Sequence, residues 1–346
     1  MNPTNPNNRD HAKYFLMTID VEDWFHVENF KSLIPFDTWD HQESRIEDNI
    51  HRLLDLFDGI ELPPTKRDRT GASKSTTTKN PTDANDTARA VNARTPRATF
   101  FVLCWIAERF PHLVREIAAR GHEIASHGCY HELPENMPPD PLRAELTDSR
   151  KRLEDTIGMP VAGFRAPSFS INDAILEAVA GSGYRYDSSY NSFSLHGRYG
   201  KISLNGQPQI GIAHRVFDNL YELPISNLKL LGNILPLGGG AYFRLIPFSF
   251  FSLGVKRILT GDNAYLFYIH PWEIDPEQPR MEDASWNHKM RHYTNLSKTY
   301  DRMVSMIKAF KYCHFTTCSH YLDAQDPDLS LHDATCTSDN RRTLEA

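Results

Sequence analysis

The sequence predicts an α/β fold organised as a parallel sheet or barrel. Short apolar runs alternate with longer stretches of helical periodicity in the first half of the chain, the pattern of parallel strands joined by crossover helices. Asp20, Glu22, His127, His131, Arg165, Asp187 and His270 all fall just past the end of such a run. In parallel β/α folds that edge is where sites are built.

The first run, Lys13–Ile19 (KYFLMTI), reads as a buried parallel strand. It ends in Asp20-Val21-Glu22-Asp23-Trp24-Phe25-His26. Three acids are unusual there, because a buried charge is costly unless it is paired or bound to metal. The plain alternative is a loop of solvated acids. Ile46, Ile50, Leu53, Leu54 and Phe57 then share one helical face. Residues 61–96 are Thr, Lys, Asn, Asp, Ala and Pro with almost no large apolar side chain. Such a segment cannot offset its ordering entropy by burial, so it reads as a disordered insertion.

Ala98–Cys104 (ATFFVLC) is the second strand. The helix after it turns Phe110, Leu113, Val114 and Ile117 inward, with Pro111 near its start and Gly121 past its end. His122–Ser126 is the third strand and runs into His127 and His131. Asp140-Pro141 reads as the N-cap and first position of a helix carrying Leu142, Leu146, Leu153 and Ile157. Val161–Phe164 and Tyr184–Asp187 are the fourth and fifth strands, on either side of a short helix over Ala174–Ala180. From Asn191 to Asn263 the pattern loosens. Gly238-Gly239-Gly240 lacks the strand and Lys or Ser/Thr of a phosphate loop, so it reads as a flexible loop beside a site. Ala264–Ile269 (AYLFYI) is another buried strand, ending in His270-Pro271-Trp272-Glu273. Tyr300, Met303, Val304, Ile307 and Phe310 mark the last helix. The expected organisation is a disordered N-terminus over 1–12, one domain over 13–325 and a disordered tail over 326–346.

Forty per cent hydrophobic and 11% aromatic residues support a sizeable core, and a net charge of −6 argues against nucleic acid as partner. Met1–Asp10 lacks the basic start and apolar run of a secretory signal. The longest apolar windows, near Leu228–Leu237 and Leu245–Val255, fall short of the ~20 residues of a membrane span. The five cysteines show neither zinc-ribbon nor CxxC spacing and read as reduced thiols, so a cytoplasmic protein is expected.

His127 and His131 stand four residues apart. A metalloprotease helix would need Glu directly after the first His, and Gly128 stands there. Two imidazoles with a carboxylate make a three-ligand set with an open position. A divalent metal held so lowers the pKa of bound water and polarises a carbonyl. A further carboxylate can take the proton of that water, and a further histidine can protonate a leaving amine. Arg165 can pair with the base carboxylate and fix its direction. This is the machinery of metal-assisted amide hydrolysis.

Thr18-Ile19-Asp20-Val21-Glu22-Asp23, Ser126-His127-Gly128-Cys129-Tyr130-His131, Arg165-Ala166-Pro167-Ser168-Phe169 and Ile269-His270-Pro271-Trp272 also carry a resemblance. In this order they resemble the motifs of the polysaccharide deacetylase family with NodB homology, in its bacterial exopolysaccharide-associated branch. The resemblance implies an irregular (β/α) barrel of seven or eight strands. It implies removal of N-acetyl groups from an amino-sugar polysaccharide, with release of acetate. By motif match Asp20 would be the general base, His127 and His131 metal ligands, and His270 the general acid. Arg165 would orient Asp20, and the Ser168 N–H would help hold the oxyanion. Asp187 is a looser match, for orienting His270.

In the first motif the family's second aspartate is replaced by Val21. Residues 20 and 22 of an extended segment point to one side, which assigns the carboxylate ligand to Glu22, with Asp23 as the alternative. The family's usual Tyr after the third-motif Pro is Ser168 here, a change that a backbone oxyanion contact survives. Zinc is the metal expected, although cobalt, nickel or iron suits the same ligands. Trp24, Phe169 and Trp272 adjoin the expected site. For Trp24 and Trp272, stacking on sugar and packing stay equally open, whereas Trp105 and Cys104 read as core and Cys129 as a bystander. The expected partner is an N-acetylated glycan, with room for association with a polysaccharide synthesis complex. Two other readings stand beside this one: an allantoinase-like hydrolase of a small amide or cyclic imide, and a catalytically silent glycan-binding protein.

Overall fold

The computed structural model describes residues 12–64, 94–193 and 200–326. The expected N-terminal disorder up to residue 11, the insertion over 65–93 and the tail from 327 lie outside the described residues. The flanks of the insertion belong to the folded part. Leu62 is buried, and its N–H donates to the Arg94 carbonyl at 2.6 Å.

The first strand, β1 (Tyr14–Val21), sets the plan. Successive side chains of a strand point to opposite faces. Phe15, Met17, Ile19 and Val21 join the larger core between sheet and helices, while Tyr14 and Leu16 join a second core with Phe101, Ala125, Tyr186 and Leu266. That second core fills the inside of the barrel. Thr18 and Asp20 continue the inner row, so the interior turns polar toward the strand's C-terminal end.

β2 (Ala98–Val102), β3 (Glu123–Ser126), β4 (Gly163–Phe164) and β5 (Tyr186–Asp187) follow in parallel, each beside the one before. Helices α1 (Ile46–Asp58), α2 (Cys104–Arg109), α3 (Pro111–Ala119), α4 (Pro139–Ile157) and α5 (Asp173–Gly181) cross between them. Two of these differ from expectation. The single helix after β2 is two helices broken at Phe110, just ahead of Pro111. α4 begins one residue before Asp140, which sits in its first turn near the positive end of the helix instead of capping it.

Beyond β5 the sheet becomes antiparallel through β6 (Gln209–Ile210), β7 (Ala213–Phe217) and β8 (Leu220–Glu222), and β8 pairs in parallel with β5. β9 (Leu228–Leu230) and β10 (Asn233–Leu235) form a separate hairpin. α6 (Gly240–Leu245) and α7 (Phe248–Gly261) lead to β11 (Ala264–Ile269), which flanks β1 in parallel on its other side. The glycine run is therefore not a flexible loop: Gly240 starts α6, Gly239 precedes it in extended conformation, and the Gly238 carbonyl accepts the Tyr268 N–H at 2.8 Å. α8 (Trp286–Tyr293), α9 (Leu296–Ala309), β12 (His314–Phe315) and α10 (Cys318–Gln325) complete the described chain.

Seven strands run parallel in the order β11, β1, β2, β3, β4, β5, β8. A stitch, not a ladder, joins the two ends. Ser226, just past β8, donates its N–H to the Leu266 carbonyl at 3.2 Å and accepts the Leu266 N–H on its hydroxyl at 2.9 Å. The irregular (β/α) barrel implied by the resemblance is the fold observed. No helix among the described residues is long and apolar enough to cross a membrane.

Candidate active site

Glu22 lies two residues past Asp20 on the inner side of β1 and is buried. Its Oε1 is 3.0 Å from His127 Nε2 and 3.2 Å from His131 Nε2. Among the described residues these three form the one group of His, Cys, Asp and Glu side chains able to share a metal ion, their ligand atoms all within 4.8 Å of one another. His127 follows β3, with its Nδ1 2.8 Å from the Arg165 carbonyl. A neutral imidazole that donates from Nδ1 turns the lone pair of Nε2 outward. Here that lone pair faces a carboxylate oxygen, an acceptor opposed to an acceptor, and a cation between them resolves the opposition. The donor set therefore fits a divalent metal. His131 is carried round by a turn in which Gly128 (φ 76°) and His131 itself (φ 54°) are left-handed, while the Cys129 N–H bonds to Glu145 Oε1 at 2.9 Å. Asp23 faces away. Its oxygens accept the N–H groups of Trp24 and Arg45 and the Ser44 hydroxyl, each at 2.8 Å.

Asp20 ends the inner row in a buried ion pair, its Oδ1 2.5 Å from Arg165 Nη1. Arg165 is fully buried. It also donates to Thr18 Oγ1 (2.8 Å) and to the Ser188 carbonyl and hydroxyl (2.9 Å each), and it lies over the Phe101 ring at 4.0 Å. Removing one partner of such a pair costs about 3–5 kcal/mol, because the other is left charged in the interior. The pair points Asp20 Oδ2 into the site, 3.9 Å from His270 Nε2.

His270 follows β11 and leaves Nε2 facing both carboxylates, at 3.7 Å from Glu22 Oε1. Its Nδ1 is 2.9 Å from Glu273 Oε1, and Glu273 Oε2 takes Arg244 Nε at 2.7 Å. Arg244 is tied in turn to the carbonyls of Arg291, His292 and Thr294. Burial raises the Glu273 carboxyl, but the charges of Arg244 and His270 outweigh it and hold the group at about 2. Burial disfavours the His270 cation, yet Glu22, Glu273 and Asp20 together lift it to about 9. For Glu22 the upward push of burial is overcome by His131, His270 and the bonds from His127, which hold it well below the usual carboxylate range.

The residue expected to orient His270 is a correction. Asp187 accepts the Ser189 N–H and hydroxyl at 2.8 Å each, and Ser189 Oγ accepts the Ala166 N–H. Asp187 thus braces the segment after Arg165, and Glu273 is the carboxylate on His270. Opposite Asp187, burial and that facing carboxylate push Glu222 well above its ordinary value. Glu273 and Arg244 were missed in the sequence. The signal for Glu273 was an acid three residues after a histidine at a strand end; Arg244, 26 residues upstream of His270, gave none.

The cavity over this floor measures about 100 Å³. Ser168 and Phe169 form part of its wall at φ 53° and 59°. Consecutive left-handed residues other than glycine are strained and gather at functional sites. Phe169 meets Tyr268 edge-on at 4.7 Å. Trp272 also lines the cavity, stacked on His292 at 4.1 Å. Trp24 does not. It is buried in the larger core, with its Nε1–H on the Glu43 carbonyl at 2.9 Å, because the backbone turns at Asp23. Trp105 packs against Phe25, His26 and Trp39, as expected of a core residue.

Barrel and floor together define a β/α scaffold with a His₂-carboxylate group able to hold a metal ion. A polysaccharide deacetylase profile matches residues 79–186, and a profile described as a domain of unknown function (DUF3473) matches residues 188–321. Over residues 79–186 the chain is therefore similar to the polysaccharide deacetylase family. His127, His131, Arg165 and Ser168 fall in the first match and His270 in the second. A peptidoglycan-N-acetylglucosamine deacetylase of Bacillus cereus is 33% identical over 88 residues, 25% of this chain and 41% of that protein. The chain thus spans about two fifths of that relative. A candidate polysaccharide deacetylase from Mycobacterium smegmatis shares the fold, with a TM-score of 0.53, 18% identity, and 94% and 95% of the two chains covered. An allantoinase does so equally, with a TM-score of 0.53, 13% identity and the same coverage.

Proposed function

We propose that this chain is a metal-dependent hydrolase that removes N-acetyl groups from amino sugars of a bacterial polysaccharide, within exopolysaccharide biosynthesis. The observation that carries it is the convergence of Glu22, His127 and His131 beside Asp20 and His270. The polysaccharide deacetylase match over residues 79–186 supports the glycan, and the Bacillus cereus relative is a deacetylase of one. Zinc is the ion we assign to the three ligands, and it supplies carbonyl polarisation and a lowered pKa for bound water. Asp20, held by Arg165, takes the proton of the attacking water. The Ser168 N–H steadies the oxygen of the tetrahedral centre. His270, steered by Glu273, gives its proton to the nitrogen as the C–N bond breaks, leaving acetate and a free amine.

One observation favours a second reading. An allantoinase has this fold over nearly the whole of both chains. An allantoinase-like hydrolase of a small amide would use the same three ligands and the same acid and base. The deciding experiment pairs metal content with acetate release from short N-acetylglucosamine oligomers, with and without chelator, and with allantoin as competing substrate. About one metal per chain and chelator-sensitive acetate release are expected. His127→Ala loses metal and activity together. Asp20→Asn keeps the metal and loses most turnover, by roughly a hundredfold or more. If both variants deacetylate normally, the site is wrongly assigned.

A further inference from the structure

Residues 223–261 contain no acidic residue, in a chain with 44 acids against 38 lysines and arginines. The stretch carries Lys229, Arg244, Lys256 and Arg257, and of these only Arg244 is buried. It builds the β9–β10 hairpin, α6 and α7. Large apolar side chains that find no core gather here. Leu231 at the hairpin tip is 92% exposed, and Phe250 and Leu253 on α7 are 69% and 65% exposed. Leu230, Leu235 and Leu245 are exposed as well. The hairpin lies against α7, since a Cβ added at Gly254 would meet Leu237 and Leu228. Leu253 adjoins Gly254 and Phe250 lies one turn before it, so helix and hairpin present their apolar residues side by side.

Protein partners usually meet a surface of mixed charge. An apolar projection whose own exposed charges are Lys229, Lys256 and Arg257, bordered by one acid at Asp262, on a chain of net charge −6, is complementary instead to an anionic lipid surface. We propose that the β9–β10 hairpin and the outer face of α7 dock on an anionic membrane surface. The same stretch leads into the site. Gly238–Gly240 connects the hairpin to α6, whose Ala241 lines the cavity. Docking therefore sets the cavity mouth near the lipid boundary, within reach of acetylated glycan attached to lipid. Only that last consequence rests on the proposed deacetylase function.

The test is co-sedimentation of the full chain with phosphatidylcholine vesicles, with and without phosphatidylglycerol. Retention on the anionic vesicles is expected, weakened by added salt. Combined Leu231→Glu, Phe250→Glu and Leu253→Glu should lower it at least about tenfold. Each of Lys229→Gln, Lys256→Gln and Arg257→Gln should lower it roughly fivefold. Acetate release from short soluble oligomers should not change in these variants, because none of the substituted residues lines the cavity. That readout also separates the two ideas: retention without acetate release sinks the deacetylase reading alone. Absence of retention, or retention indifferent to the substitutions, overturns the docking proposal. So does a dimer lost with Leu231→Glu and no vesicle binding, which would give the patch to a second copy of this chain.

Discussion

A ring nitrogen of histidine is aimed by whatever holds the other one. His127 is aimed by a backbone carbonyl and His270 by the Glu273 carboxylate, itself clamped by Arg244. Glu273 is accordingly a positioning residue for His270 in the proposed reaction. Glu273→Gln keeps an acceptor for Nδ1 but removes the charge that Arg244 and His270 both face. Turnover should fall by about tenfold to a hundredfold, with KM and bound metal nearly unchanged. Steady-state kinetics and metal content on one preparation check this, and loss of metal would show that Glu273 shapes the ligand set instead. At this scale the sequence was readable wherever residue type alone restricts chemistry, as with Asp20, Glu22, His127, His131 and His270. It was opaque where a partner lies far along the chain, as with Arg244 and Glu273, or where one backbone turn decides the direction, as with Trp24.

Among the elements, the join between α6 and β11 matters most for the site. Gly240 starts α6 beneath Glu273, and a Cβ there would collide with both carboxylate oxygens of Glu273. Gly240→Ala should therefore displace Glu273 from His270 and reproduce the kinetic loss of Glu273→Gln, while circular dichroism remains that of the folded chain. Full activity in Gly240→Ala would show that Glu273 can shift without consequence. The strands β1, β2 and β11 were legible because they are five residues or longer and apolar on both faces. Between β5 and β11 several strands have two or three residues, too few to display a period of two. That is why the region read as loose and the start of α6 as a loop.

Across the whole molecule, burial of neutral histidines ties stability to pH. Burial, helped by the Arg97 charge, lowers His122 to about 4, and its Nδ1 accepts the Ala98 N–H at 3.2 Å. The unfolded chain takes up a proton near 6.5 and the folded chain does not, so stability is full above about 6.5 and falls as pH drops toward 4. From pH 7 to 5 this residue should contribute a loss of about 1–2 kcal/mol. Urea unfolding at the two pH values, for the native chain and His122→Phe, checks it: the variant should lose less on acidification. The class of fold was legible because alternation of strand and helix is a property of the sequence read in order. The closing of the barrel was not, since Ser226 and Leu266 meet only once the ring has formed. A hoop fastened by a few bonds gives way first where they are fewest. Tyr268, two residues beyond Leu266 on the same strand, stands in the cavity wall. Any widening of the hoop at Ser226 is thus felt at the rim of the cavity.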